Sequence, residues 1–132
     1  MERVFNLWFL IRPAADVPGQ WTSHCLELDV VSQGTSLAHA LDMGVEAAFQ
    51  AIVDDIDDGL DPRDRPRAPR EHWDALFSVV NSGEQVTMKE VHEDGSRLES
   101  FAALIEVHVN DEATTRDWDA PVLKAIPAAV SG

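Results

Sequence analysis

An amphipathic helix between residues 36 and 59 constrains the fold of this chain more than any other feature. Its apolar positions recur at helical spacing and therefore lie on one face. Ser36 can accept hydrogen bonds from the free N–H groups of the first turn, and Gly59 stands where a left-handed residue commonly ends a helix. A helix of about 22 residues with one apolar face must pack on another layer of the fold. The apolar positions are Leu37, Ala40, Leu41, Val45, Ala48, Phe49, Ile52, Val53 and Ile56.

Three strand-like runs precede this helix and can supply that layer. Residues 4–11 are apolar on both alternating faces, which predicts an interior strand with both faces covered. Pro18 and Gly19 then indicate a turn into a second strand, residues 20–28, which carries Trp21. A short third strand covers residues 29–33, and Gly34 breaks the chain before the helix. Both faces of the second strand combine polar and apolar residues, so the pattern does not tell which face is inward.

Three strands, a Gly-containing turn and a Ser-capped helix rich in Ala and Leu resemble the HicB family of antitoxins. The resemblance covers roughly residues 4–59, less than half of the chain. This sequence departs from the family at His39, where many relatives place an acid, and at residues 28–30, where Pro and Gly are usual. The matching residues are the first strand, residues 5–11, and Trp21, Ser32, Gln33, Gly34, Ser36, Leu37, Ala40, Leu41, Glu46 and Ala47.

The resemblance implies a partial ribonuclease H-like sheet and a binding function rather than a nuclease. HicB-like proteins typically cover a small basic HicA-like toxin, an mRNA-cleaving ribonuclease, and mask its catalytic histidine. Many also bind operator DNA through a C-terminal helix-turn-helix or ribbon-helix-helix, and nothing after Gly83 has either pattern. We therefore expect a toxin-binding antitoxin without a DNA-binding module. The alternative is a stand-alone HicB-like oligomeric scaffold or small-ligand-binding domain.

The rest of the chain predicts a linker, a second helix and a hairpin. Residues 60–69 contain three prolines and begin the basic run Arg63 to Arg70. This run either contacts an anion or RNA, or is a solvated loop, or lies near the acids at the end of the long helix. Residues 71–81 read as a helix ended by Gly83. Strands at 85–92 and 97–109 flank Asp94 and Gly95, a turn signal typical of hairpins.

The expected architecture is α+β, with an antiparallel sheet of 4-5 strands in the order β-β-β-α-α-β-β and the long helix on one face. Residues 1–110 form the domain, and residues 111–132 form an acidic, Ala- and Pro-containing tail that docks in part through Leu123 and Ile126.

The charge balance argues against nucleic acid as a partner. The chain has 24 acids and 10 bases, a net charge of −14, which repels phosphate backbones and favours a basic protein partner or simply solubility. Cys25 is the single cysteine, so no disulfide can form within the chain, as in a reducing cytosol. No apolar run is long enough for a membrane span, and the first residues lack a signal-peptide pattern, so we expect a cytoplasmic protein.

The acidic run Asp54, Asp55, Asp57 and Asp58 does not fit a calcium loop. With Gly59 at the sixth loop position, Ile56 takes the third, where an oxygen ligand is needed. The histidines show no zinc-ligand spacing with Cys25, and no nucleophile elbow or phosphate loop is present. We therefore expect no metal, no cofactor and no enzymatic activity. Acids at a helix C-terminus oppose the macrodipole, which suits solubility or a cationic partner.

The apolar character of both faces of the first strand predicts self-association. One long helix covers only one face of a sheet, the second helix with Trp73 and Phe77 covers at most part of the other, and monomers seldom leave large apolar patches exposed. The competing outcome is that the tail folds back through Leu123 and Ile126 and seals this face within one chain. We expect a homodimer or higher oligomer through the sheet face or an edge strand. The predicted self-association or partner surface comprises Trp8, Leu10, Trp21, Asp54, Asp55, Asp57 and Asp58.

Overall fold

A computed structural model describes residues 2–94, 98–110 and 122–127. Within this part of the chain, an α+β fold has one open antiparallel sheet of six strands, in the order β3-β2-β1-β5-β6-β4, rather than the expected four or five. The elements are β1 (Glu2–Pro13), β2 (Trp21–Cys25), β3 (Val30–Gly34), α1 (Leu37–Asp57), a 3-10 helix (Pro62–Asp64), α2 (Arg70–Ser82), β4 (Glu84–Gln85), α3 (Met88–Asp94), β5 (Leu98–Asn110) and β6 (Val122–Pro127).

The first strand lies in the interior of the sheet, as its two apolar faces predict. It pairs with β5 from Glu2 to Ile11, but with β2 only from Phe9 to Pro13. The side chains alternate between two cores, so that both faces of β1 are covered over much of its length. One core lies between the sheet and α1, and the other lies between the sheet and α2.

The long helix has the predicted length and the predicted ends. Ser36 accepts a hydrogen bond from the backbone N–H of His39 at 3.1 Å. At the other end Gly59 has a φ of 75°. The backbone N–H of Gly59 donates to Ile56, and that of Leu60 donates to Asp55, which satisfies two carbonyls of the last turn. The cap residues read from the sequence are therefore confirmed.

Both faces of the second strand are buried, which explains why polar and apolar residues alternate without a clear pattern. Ser23 and Cys25 are buried on the α1 side, and His24 is buried on the α2 side. The strand ends at Cys25, and the turn over residues 26–29 breaks the alternation. As a result Leu26 enters the α2 core whereas Leu28 enters the α1 core.

The strand predicted over residues 85–92 is wrong. Only Glu84–Gln85 are extended, and Met88–Asp94 form α3. Thr87 accepts from the backbone N–H of Glu90 at 3.2 Å, while the Glu90 carboxylate accepts from the backbone N–H of Thr87 at 2.7 Å. This reciprocal capping box starts a helix where the apolar alternation alone suggests a strand. Because one arm is helical, the hairpin does not form, and its Gly95 lies outside the described residues.

The strand β5 pairs with β6 and not with residues 85–92. Ala103 pairs with Leu123 and Phe101 pairs with Ala125. Leu123 and Ala125 are buried in the α1 core, and Ile126 packs against the α2 core. The short strand β4 pairs with β6 alone and forms one edge of the sheet.

Candidate functional site

The outer side of α1 carries acidic residues at helical spacing. The buried positions of the helix fix its rotation, so the polar positions between them are exposed to solvent. No basic residue lies in the last turn of the helix. The side-chain amide of Gln50 donates to Asp54 at 2.9 Å. We call this surface the acidic face, and it comprises Asp42, Glu46, Asp54, Asp57 and Asp58.

Asp55, predicted as part of the same surface, points into the protein instead. It is 8% exposed, and its carboxylate accepts from Arg65 Nε at 2.7 Å and from Arg65 Nη2 at 3.3 Å. The hydrogen bond that Arg65 donates to Asp55 raises the pKa of Arg65 above its usual value. The expectation that the basic linker lies near the acids of the helix is thus confirmed at Arg65. The pair fixes the linker to the end of α1 and removes one charge from the acidic face.

The three apolar residues of the predicted surface do not lie together. Leu10 is 1% exposed because α2 covers it, so it belongs to a core and not to a surface. Trp8 is half-buried against the same core. Trp21 is half-buried against the α1 core, on the opposite side of the sheet. Helix α2 lies over β5 and β6, and the core beneath it includes Leu10 of β1.

A histidine cluster that the sequence does not suggest lies between the sheet and α2. His24 Nε2 donates to Asp29 at 2.7 Å, and the rings of His24 and His72 meet edge-on with centroids 4.7 Å apart. Arg12 donates to Nδ1 of His72 at 3.3 Å. Three separate elements supply these residues, so no spacing in the sequence could reveal them. A carboxylate-oriented histidine can act as a base, but His24 is 5% exposed, and the contacts mainly hold α2 on the sheet.

Cys25 is not set up as a nucleophile. Burial, together with the smaller effect of the nearby charge of Glu27, raises the pKa of its thiol to about 12. The side chain therefore stays a neutral thiol at ordinary pH, and the thiolate is the nucleophilic form. Within residues 2–94, 98–110 and 122–127, no group of three or more His, Cys, Asp or Glu side chains is placed to hold a metal ion.

A cavity of about 630 Å³ opens at the start of α1. The first turns of α1 and the helix α3 form its walls. The Nδ1 atom of His39 accepts from the backbone N–H of Thr35 at 3.0 Å. The lining residues are Ser36, Ala38, His39, Leu41, Asp42, Met88 and His92.

The chain matches no protein-family model, no curated protein and no solved structure. Among the described helices, none combines the length and the apolar character that crossing a membrane requires.

Proposed function

We propose that this protein is a non-enzymatic binding protein of the HicB-like antitoxin type, and that its acidic face takes a small basic protein such as a HicA-like ribonuclease. The order of three antiparallel strands followed by a long helix over residues 2–57 is consistent with this family. The observation that carries the proposal is the acidic face, a row of carboxylates on one rigid helix without a base in its last turn.

The charge arrangement has a local cost that a cationic partner would offset. Acids at a helix C-terminus oppose the macrodipole by roughly 0.3–1 kcal/mol each, and Asp54, Asp57 and Asp58 all lie there. Such a field attracts a basic protein over several ångströms and raises its association rate at low salt. The net charge of −14 extends the same attraction to the whole molecule and supports the proposal that nucleic acid is not a partner.

The proposal includes the absence of enzymatic activity, of a metal and of a cofactor. Cys25 and His24, whose side chains are of types that act in catalysis, are buried and take part in packing.

The proposal also includes self-association, now through an edge strand, because α2 covers Leu10 on the sheet face. The strand β3 is an edge of the sheet and carries Val31, which is 56% exposed. Light scattering at micromolar concentration tests this, and the mass of a single chain that stays constant on concentration contradicts it.

Binding of a catalytically inactive HicA-type toxin, measured by biolayer interferometry over a series of salt concentrations, tests the main proposal. The triple variant Asp54→Asn, Asp57→Asn, Asp58→Asn should lower the association rate by about tenfold at low salt. The same variant should melt at a higher temperature than the natural chain, because its helix end no longer opposes the macrodipole.

A matched control removes the same charge elsewhere on the surface. Glu71, Asp74 and Glu84 are exposed on α2 and β4, and Glu71→Gln, Asp74→Asn, Glu84→Gln should change the rate far less. Equal losses for the two triple variants mean that net charge alone acts, which contradicts a specific acidic face. No saturable binding at low salt contradicts the toxin partner.

The cavity at the start of α1 favours a second candidate, a small-ligand-binding domain. Its volume of about 630 Å³ falls in the range of ligand pockets, and its lining combines Leu41 and Met88 with two histidines. A thermal-shift screen of small polar molecules tests this candidate. A ligand should raise the melting temperature of the natural chain but not that of the Ala38→Trp variant, in which the new side chain fills the cavity. A shift of equal size in both proteins contradicts it.

A further inference from the structure

The strand β1 is paired on one side along most of its length but is half-open on the other. β2 accompanies it only from Phe9 to Pro13, and the chain then leaves in the turn over residues 26–29. At this point the backbone N–H of Leu26 donates to the carbonyl of Trp8 at 3.1 Å. The N–H of Trp8 donates to a carboxylate oxygen of Glu27 at 2.8 Å, so the Glu27 side chain takes the place of a strand carbonyl.

Beyond Trp8, no strand of the described residues pairs with this side of β1. Alternate residues of a strand direct their backbone groups to the same side, so Asn6 and Val4 direct theirs as Trp8 does. The carbonyl of Val4 accepts a hydrogen bond from Arg63 Nη2 at 3.4 Å. Among the described residues, no hydrogen bond reaches the N–H or the carbonyl of Asn6 on this side. Exposed strand edges of this kind are templates for pairing with another chain.

A groove of about 350 Å³ runs beside this open edge. Residues 4–7 of β1 form one side of the groove. Glu27 and Leu28 of the turn, and Pro62, Arg63 and Arg67 of the linker, form the rest of its lining. The groove therefore lies where an added strand would lie, directly beside the free backbone groups of Asn6.

Two arginines line this groove, although the chain as a whole is acidic. The guanidinium of Arg63 lies 4.8 Å from the ring centre of Phe5, and that of Arg67 lies 5.4 Å from the ring centre of Trp73. No carboxylate of the described residues lies within ion-pair distance of either arginine, whereas Arg65 between them is paired with Asp55. Glu27 also lines the groove, where burial raises the pKa of its carboxyl and the nearby charge of Arg67 acts in the opposite direction. The two arginines therefore outnumber the single carboxyl group of the lining.

We infer that an extended acidic peptide segment of a partner protein binds in this groove, adds a short strand to β1 beside Val4 and Asn6, and places its carboxylates against Arg63 and Arg67. Backbone hydrogen bonds supply affinity in such strand addition, and side chains on one face supply specificity. The site differs from the acidic face in residues and in charge, so the two proposals stand or fall separately.

Fluorescence anisotropy with a dye-labelled peptide of alternating valine and glutamate tests this inference on the full chain. The peptide should bind saturably at low salt. Asn6→Pro should weaken binding by about tenfold because it removes the free N–H donor and blocks the edge. This N–H points away from β5, so the ladder between β1 and β5 loses no hydrogen bond. Arg63→Ala and Arg67→Ala should each weaken binding by about threefold.

Two controls separate strand addition from simple attraction and from misfolding. Arg70→Ala removes an arginine with a 93% exposed side chain that does not line the groove, and it should leave binding unchanged. A peptide N-methylated at alternate amides cannot pair with the edge and should not bind the natural chain, whatever the stability of the variants.

Several results would overturn the inference. Equal binding of a peptide with lysine in place of glutamate excludes the charge argument. Equal binding of the N-methylated peptide, or competition by free glutamate at the same concentration, means that the groove attracts anions without adding a strand. Loss of binding in Arg70→Ala equal to that in Arg67→Ala means that the site is not the groove, and absence of saturable binding excludes it altogether.

Discussion

Gly44 brings α1 so close to β2 that a single methyl group should destabilise the protein. A Cβ atom at this position would lie 2.1 Å from the hydroxyl oxygen of Ser23, 2.8 Å from its Cβ and 3.4 Å from the ring of Phe9. Ser23 is fully buried, so neither the helix nor the strand can give way easily. Overpacking a core costs about 1–3 kcal/mol, and contact distances this short belong at the upper end.

The net effect of Gly44→Ala is smaller because alanine favours the helix. This preference is worth about 1 kcal/mol relative to glycine, which leaves a net loss of about 2 kcal/mol. In a chain of this size the loss corresponds to a fall of roughly 6–8 °C in the melting temperature. Urea unfolding at constant slope gives the same quantity as a free energy of unfolding.

Ser23→Ala provides the second half of the test. The hydroxyl of Ser23 has no hydrogen-bond partner among the described residues, so removing it should stabilise the protein by about 1 kcal/mol. In that background the contact at 2.1 Å is gone while the contact at 2.8 Å remains, so Gly44→Ala should cost only about 1 kcal/mol. Gln50→Ala, on the exposed side of the same helix, serves as the control and should change the free energy of unfolding by less than about 0.5 kcal/mol. A Gly44→Ala variant that is more stable than the natural chain, or a cost that Ser23→Ala leaves unchanged, would refute the close approach of α1 to β2.

Three other variants probe the linker, α3 and the turn. Arg65→Ala leaves the buried Asp55 carboxylate unpaired and should lower the free energy of unfolding in urea by about 2 kcal/mol. The control Arg70→Ala removes an exposed pair and should lower it by less than about 0.5 kcal/mol, so equal effects contradict the ion pair. Thr87→Ala breaks the capping box and should cost about 1 kcal/mol, and Lys89→Ala in the same turn is the control; no difference between them contradicts the cap. The variant Glu27→Gln keeps an oxygen acceptor for the N–H of Trp8 but carries no ionisable group at this position. In the natural chain, burial raises the pKa of Glu27, so the folded protein binds this proton more tightly than the unfolded chain does. The natural chain should therefore lose stability relative to Glu27→Gln as the pH rises above 4.5, the usual pKa of glutamate, and a difference in stability that stays constant between about pH 4 and about pH 7 contradicts this.

Local rules predicted the long helix and the interior strand because the decisive information lies within each segment. The stripe and the caps Ser36 and Gly59 specify α1, and the two apolar faces of β1 require cover on both sides. The prediction of a strand over residues 85–92 was wrong because two local signals conflict there. The alternation of apolar residues favours a strand, whereas the capping box of Thr87 and Glu90 favours a helix, and the helix forms.

The parts of the candidate sites that were missed depend on contacts between distant segments. Asp55 reads as one more acid in a run, although its spacing from Ala48 and Ile52 puts it on the buried face of the helix, where Arg65 pairs with it. The open edge of β1 depends on where β2 ends, and the Glu27 side chain that caps this end shows no strand pattern. The sequence does contain one usable hint, since Arg63 and Arg67 concentrate positive charge in an acidic chain.

The pairing of β1 also determines how this chain must fold during synthesis. β1 leaves the ribosome first among the described strands, yet β5, its longest partner, follows only after α1, α2 and α3. Until then, the nascent strand can pair only over its last residues with β2, and its apolar first half stays unpaired. Such non-local closure slows folding and prolongs the exposure of a strand that favours aggregation. The many acidic charges of the segments that follow would keep the growing chain in solution until β5 has been synthesised and pairs with β1.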